Sequence, residues 1–158
     1  MTNQAINIGI DESKRQAIAE GLVRILATTY ALYFKTHSYH WNVRGPLFAS
    51  LHSLFETQYT ELAQAVDELA ERVRSLGVLA PSSWKALWAL SSIPDDDEVP
   101  DAMEMVRRLA KGHEAIAKMA RELFSVAEDS NDQASADLLT ARMKAHEKAA
   151  WMLRSTAE

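Results

Sequence analysis

The chain has 158 residues, 47% of them hydrophobic and 25% charged, with a formal net charge of −5 and no cysteine. That balance is globular and fits a single domain over residues 1–158, long enough to bury an ordinary core. Disulfides and thiolate metal sites are excluded, and a folded body of this charge makes a poor surface for nucleic acid.

Charges interrupt every apolar run before it reaches the length of a membrane span, so no membrane partner is expected. "MTNQAINIGIDESKRQ" has no basic region leading into an apolar stretch, so no signal peptide is visible and a cytoplasmic protein is expected. Residues 1–12 are expected to form a flexible tail. Asp11 or Ser13 can cap a first helix, whose one face carries Ile18, Leu22, Ile25, Leu26, Thr29 and Tyr33. Gly45-Pro46 must end it, because proline cannot donate to a helix ladder and restricts the residue before it.

A second helix is expected from about Leu47 to Leu76, with Leu51, Leu54, Phe55, Leu62, Val66, Leu69, Val73 and Leu76 in a long stripe and Gly77 as its stop. "VLAPSSWKALWALSSIPDDDEVP" is a connection holding a short amphipathic segment, Trp84 to Leu90. A third helix opens near Pro100 and runs to about Val126. "EDSNDQ" is a polar turn, and a fourth helix from about Ala134 to Ser155 carries Leu138, Leu139, Met143, Trp151 and Met152. The expectation is an all-α four-helix bundle with one extended crossover.

Three of the five histidines crowd into "THSYHWNVRGPLFASLHSLFE". On the second helix His52 and Glu56 are four residues apart and face the same way, as do Asp67 and Glu71. Eleven residues separate Glu56 from Asp67, which returns to within about 20° of the same face but roughly 16 Å further along the axis. No single metal ion bridges that span. If the same helix of a second chain packs antiparallel across a two-fold axis, His52 and Glu56 of one subunit meet Asp67 and Glu71 of the partner subunit, twice per dimer. His40, at the end of the first helix, completes two imidazoles and three carboxylates, a set suited to Fe(II), Mn(II) or Zn(II) and, lacking sulfur, not to Cu(I).

Blander readings compete. "DELAER" is a common solvated helix surface, a lone His52 is more often a hydrogen-bonded boundary residue, and His37 can merely support His40 or face solvent. His113 ("GHEA") and His146 ("AHEK") have no second ligand at useful spacing and read as surface. The Glu-x-x-His pair of bundle-core di-iron sites is absent from the chain.

"HWNVRGPLFASLHSLFE" followed by "DELAERVRSLG" resembles the Dps family, the starvation-induced miniferritins of the ferritin-like superfamily. The resemblance extends through "NDQASADLLT" to Trp151. It implies a ferritin-like four-helix subunit with a short extra helix between the second and third, assembled as a hollow homo-dodecamer of tetrahedral symmetry. It implies ferroxidase centres at two-fold interfaces, with metal ligands and catalytic residues His40, His52 and Glu56 from one subunit and Asp67 and Glu71 of the partner subunit. Many members have aspartate where Glu56 stands, and the longer side chain is expected to alter the second iron position.

The implied chemistry is oxidation of iron(II), usually by hydrogen peroxide in preference to oxygen, with ferric storage inside the shell and protection from oxidative damage. Zinc or manganese can substitute at such ligands. Trp41 resembles the family's tryptophan near the centre, a trap for a stray electron hole, against the plainer reading of a packed aromatic. Glu128 and Asp137, with Asp132 nearby, fall where members line acidic three-fold pores, although Gln133 stands where some have another acid and "EDSNDQ" is also a simple capped turn. "DDDE" at Asp95–Glu98 reads as a solvated loop.

Two alternatives stand beside iron storage: a DNA-compacting stress protein with secondary iron binding, and a purely structural helical oligomer. DNA-binding members usually carry basic tails. The first 13 residues here contain no basic residue, the chain ends "RSTAE", and twelve copies carry a formal charge of about −60, so direct DNA binding is not expected.

Overall fold

The structure, a computed structural model, describes residues 6–157. Five helices follow in order: α1 (Glu12–Asn42), α2 (Phe48–Ser75), α3 (Trp84–Leu90), α4 (Ala102–Asp129) and α5 (Gln133–Ala157). Among the described residues there is no strand. The expected four long helices and the short fifth in the crossover are all present, with boundaries within a few residues of the proline and glycine signals.

Each helix ends for a local reason. Asp101 caps α4 by accepting from the Glu104 amide at 2.9 Å. At the end of α2, Gly77 takes φ 91°, Val78 N–H bonds to Val73 O and Gly77 N–H to Arg74 O. That pairing satisfies the last carbonyls and favours glycine at the left-handed position. Asn131, at φ 56°, does the same for α4, with Asp132 N–H on Ala127 O and Asn131 N–H on Glu128 O.

α1 packs closely on α2 and α4 on α5, α1 also meets α4, and the α2–α5 seam is thin. Ile18, Leu22, Leu51, Phe55, Leu109 and Leu139 are fully buried at the centre, each contributing about 1.5–3 kcal/mol by leaving water. Gly112 lets α4 approach α1: a Cβ there would stand 2.6 Å from Leu32 Cδ1. α3 rests on α1, with Trp84 edge-on to Tyr30 at 5.3 Å.

Two expectations need correction. α1 is long and apolar enough to cross a membrane, despite its charges, but 61% of that apolar stretch is buried inside the bundle. Its hydrophobicity is accounted for by the core. Part of the segment expected as a tail over residues 1–12 is held to the bundle. Residues 1–5 lie outside the described residues, but Ile6 sits over Gly77, and Arg15 donates to Ile10 O and, at 3.0 Å, to Leu76 O. Those contacts tie the entry of α1 to the end of α2.

Candidate metal centre

α1 ends in the extended Val43, Phe48 N–H closes the Gly45-Pro46 turn onto Gly45 O, and α2 starts at once. This reversal lays His40, in the last turn of α1, against His52, in the second turn of α2. Their rings stack at 3.7 Å between centroids with planes 19° apart. His40 Nδ1 bonds to His52 O at 2.8 Å, and His52 Nδ1 to His40 O at 2.8 Å.

A carbonyl oxygen can only accept, so both Nδ1 atoms must carry the proton. Each imidazole is thereby fixed in the tautomer that leaves the Nε2 lone pair free, the arrangement that metal-ligating histidines adopt. Both rings are oriented by the backbone. Sequence spacing suggested the pair but could not show the reciprocal bonds.

Glu56 follows one turn beyond His52 and is exposed, and Asp67 and Glu71 are exposed further along α2. Among the described residues of one chain, no group of three or more histidine, aspartate or glutamate side chains converges. The subunit therefore brings His40 and His52 together, leaves Glu56 exposed on the adjoining turn, and does not bring Asp67 and Glu71 to them.

His37 has neighbours the sequence did not reveal. Its ring lies 4.2 Å from Trp41 and 4.2 Å from Tyr59, and Tyr59 meets His40 edge-on at 5.1 Å. Burial, then the nearby His40, holds the His37 imidazole below its ordinary pKa. Trp41 is 59% exposed, so it is not a packed core aromatic of this subunit.

The segment expected to line a pore divides. Glu128, in the last turn of α4, and Asp137, in the second turn of α5, are exposed. Asp132 is not available to a channel: it is buried, caps α5 by accepting from Ser135 N–H at 3.0 Å, and pairs with Arg72 at 2.6 Å. Burial pushes its carboxyl up, but the Ser135 and Arg72 donors outweigh this and hold it below the usual carboxylate range.

The loop at Asp95–Glu98 is solvated except at Asp96, which receives Lys35 at 2.7 Å, Arg108 at 2.9 Å and the Tyr39 hydroxyl. Burial and the carboxylate together push the Tyr39 hydroxyl pKa up. This cluster pins the crossover to α1 and α4.

His113 and His146, expected on the surface, are buried at 2% and 1% exposure, and their Nδ1 atoms bond to each other at 2.8 Å between α4 and α5. Burial pushes His113 down to about 3, with the Arg142 charge adding, and pushes His146 down as well.

The family described as Ferritin-like domain matches residues 19–158. The chain is 41% identical over 155 residues to an uncharacterized low temperature-induced protein of Nostoc, covering 97% of this chain and 87% of that one. It is 36% identical over 146 residues to the DNA protection during starvation protein of Brevibacillus brevis, covering 92% and 98%. Among solved structures, the Dps protein of Vibrio cholerae O1, described as a member of a broad superfamily of ferritin-like diiron-carboxylate proteins, superposes with a TM-score of 0.93. The two share 28% identity over 100% of both chains.

Proposed function

This chain belongs to the Dps family of ferritin-like proteins, and from that premise we propose that it oxidises iron(II) and stores the ferric product, protecting its cell from oxidative damage. The observation that carries the reading is the His40–His52 pair, whose reciprocal bonds leave both Nε2 atoms free. Iron is the substrate. His40, His52 and Glu56 of one subunit hold it together with Asp67 and Glu71 of the partner subunit, in a homo-dodecamer.

With hydrogen peroxide as oxidant, two ferrous ions give up one electron each, the O–O bond breaks, and the hydrated ferric product releases protons. Oxygen can serve in its place. Consuming ferrous iron and peroxide together removes both reactants of hydroxyl-radical formation. Imidazoles locked by backbone bonds need no rearrangement as iron arrives, and exposed carboxylates supply the hard oxygen donors that ferric iron prefers. The same ligands bind zinc more tightly than iron(II), so zinc is expected to inhibit. In this reading exposed Trp41, tilted against His37 with ring centroids 4.2 Å apart, takes a stray electron hole outward.

Anaerobic loading with iron(II), followed separately by peroxide and by oxygen, tests the reading through ferric absorbance. Colour that develops no faster than in protein-free buffer with either oxidant would refute it.

Glu128 and Asp137 steer iron inward in this reading. The double variant Glu128→Gln, Asp137→Asn should slow uptake, and the defect should shrink as salt rises, because steering is screened over a Debye length of about 10 Å at 0.1 M. Stopped-flow uptake at low and moderate salt measures this, and equal rates would return the segment to a plain turn.

The relatives' name raises DNA binding as a second reading. The first 13 residues here hold no lysine or arginine and each chain carries −5. Phosphate contacts need cationic side chains, so the metal-free protein should leave DNA unshifted in a gel at moderate ionic strength. Clear retention would favour the compaction reading.

A further inference from the structure

The buried polar cluster around His113 and His146 serves no part of the metal chemistry above. Arg142 of α5 forms a two-pronged pair with Glu61 of α2, at 2.6 and 2.9 Å. The same guanidinium faces His146 Nε2 at 3.4 Å. A guanidinium only donates, so His146 Nε2 must accept and His146 carries its proton on Nδ1. That proton is donated to His113 Nδ1, which leaves His113 protonated on Nε2.

The chain of donors thus ends on a His113 Nε2–H that has no partner. Both ends of the buried Gln58 amide and the Arg142 Nε–H are also unpartnered. Native interiors rarely leave such groups unpaired, because each has given up its bonds to water without a replacement.

Gln58 and His113 both line a cavity of about 350 Å³ at the thin α2–α5 seam. Its mouth carries Thr57, Glu61 and the exposed Lys148, and its walls include Leu54, Ala145, Ala149 and Met152. On the two lining residues the open positions comprise three N–H donors, one on His113 and two on Gln58, against a single acceptor, the Gln58 oxygen; Arg142 is not among the lining residues. A metal cation cannot pair with N–H donors, so this is no second iron site. Glu61 neutralises Arg142, leaving Lys148 as the uncompensated charge and one negative charge as the complement. Methyl and methylene walls favour an alkyl group over bulk water.

We propose that this cavity binds a small aliphatic monocarboxylate, held by His113 Nε2–H and the Gln58 amide with the Lys148 ammonium at the rim, its alkyl end against Leu54 and Met152. The polar atoms are closed to bulk water as the side chains stand. The Gln58 amide turns on its soft terminal torsion and flexible Met152 gives way to admit the ligand.

The test uses the intact assembled protein, with butyrate, its neutral isostere butyramide, and inorganic phosphate, followed by calorimetry and thermal unfolding. Butyrate should bind saturably at one per chain and raise the melting temperature with concentration, whereas butyramide and phosphate should not. Gln58→Leu should abolish butyrate binding. Lys148→Gln, on an exposed residue that leaves folding and iron oxidation intact, should weaken it about tenfold, as expected for losing one charge-assisted contact. The proposal is overturned by absence of saturable butyrate binding, by butyrate binding that Lys148→Gln leaves unchanged, by phosphate binding as well as butyrate, or by crystals grown with butyrate that show only water in the cavity.

Discussion

Co-expressed His52→Ala and Asp67→Ala chains should recover about a quarter of wild-type iron oxidation, although shells made of either variant alone oxidise iron poorly. The reason is the two-fold axis of the proposed shared centre. Each change removes one ligand from every centre of its own homo-oligomer. In a mixed dimer one centre receives both lesions, while the other receives an intact His52 from one chain and an intact Asp67 from the other. Random pairing makes half of the dimers mixed, so about one centre in four is whole. Both positions lie outside the apolar stripe of α2, His52 being half-buried and Asp67 exposed, so assembly should survive either change. A centre contained in one subunit can never be restored this way, since every chain carries a lesion. The measurement is the initial rate of ferric absorbance in shells whose mixed composition is established by native mass spectrometry. Activity no higher than that of the single variants would refute the shared centre.

What could be read from the sequence follows from how strongly each signal is local. Gly45-Pro46, Gly77 and Pro100 act on the backbone where they stand, so helix ends were legible within a few residues. The i, i+4 pairs on α2 are equally local, and they placed His52 with Glu56 and Asp67 with Glu71 on one face. His40 stacking on His52 depends on how the turn folds back, and neither ring's tautomer is written in the spacing. Asp96 stands out from "DDDE" only once Lys35, Tyr39 and Arg108 converge on it from two other helices.

The misreading of His113 and His146 is more instructive. Each precedes a glutamate and has no second ligand at useful spacing, and both read as surface. Yet Leu109, His113 and Ile116 repeat at four and three residues, and Leu139, His146 and Leu153 repeat at seven. Those are core positions of a helix, and all six residues are buried. The stripe outweighed the neighbouring charge. Asp132 shows the opposite failure: an acid in a polar turn suggested exposure, whereas it is buried, with its Oδ1 held by the start of α5 and by Arg72 of α2.

That buried pair should also set the acid limit of the fold. An unfolded histidine gains its proton near pH 6.5, whereas burial holds His113 neutral down to about 3 and lowers His146 in the same direction. Between those values the unfolded chain binds more protons than the folded one, so stability falls as pH falls. It is fully present above about pH 6.5 and decreases by about 1.4 kcal/mol per pH unit for His113, with His146 adding to the slope. The charges near the pair do not rescue a protonated ring. Arg142 repels it, Lys148 is positive, and Glu61 is already committed to Arg142. Asp132 and Asp96, both held below the usual carboxylate range, lose their contributions only at more acid pH, so the window from about 7 to 5 isolates the imidazoles. Urea midpoints of the assembled protein at fixed concentration should drop across that window, by about 2 kcal/mol at pH 5 for one histidine alone. His113→Leu, His146→Leu keeps His37, His40 and His52, so the difference in slope between the two proteins belongs to the buried pair. The double variant should fall less steeply than the wild type, keeping the slope that His37, also held below its ordinary pKa, supplies, and parallel curves would show that the buried imidazoles are protonated as readily inside the bundle as outside it.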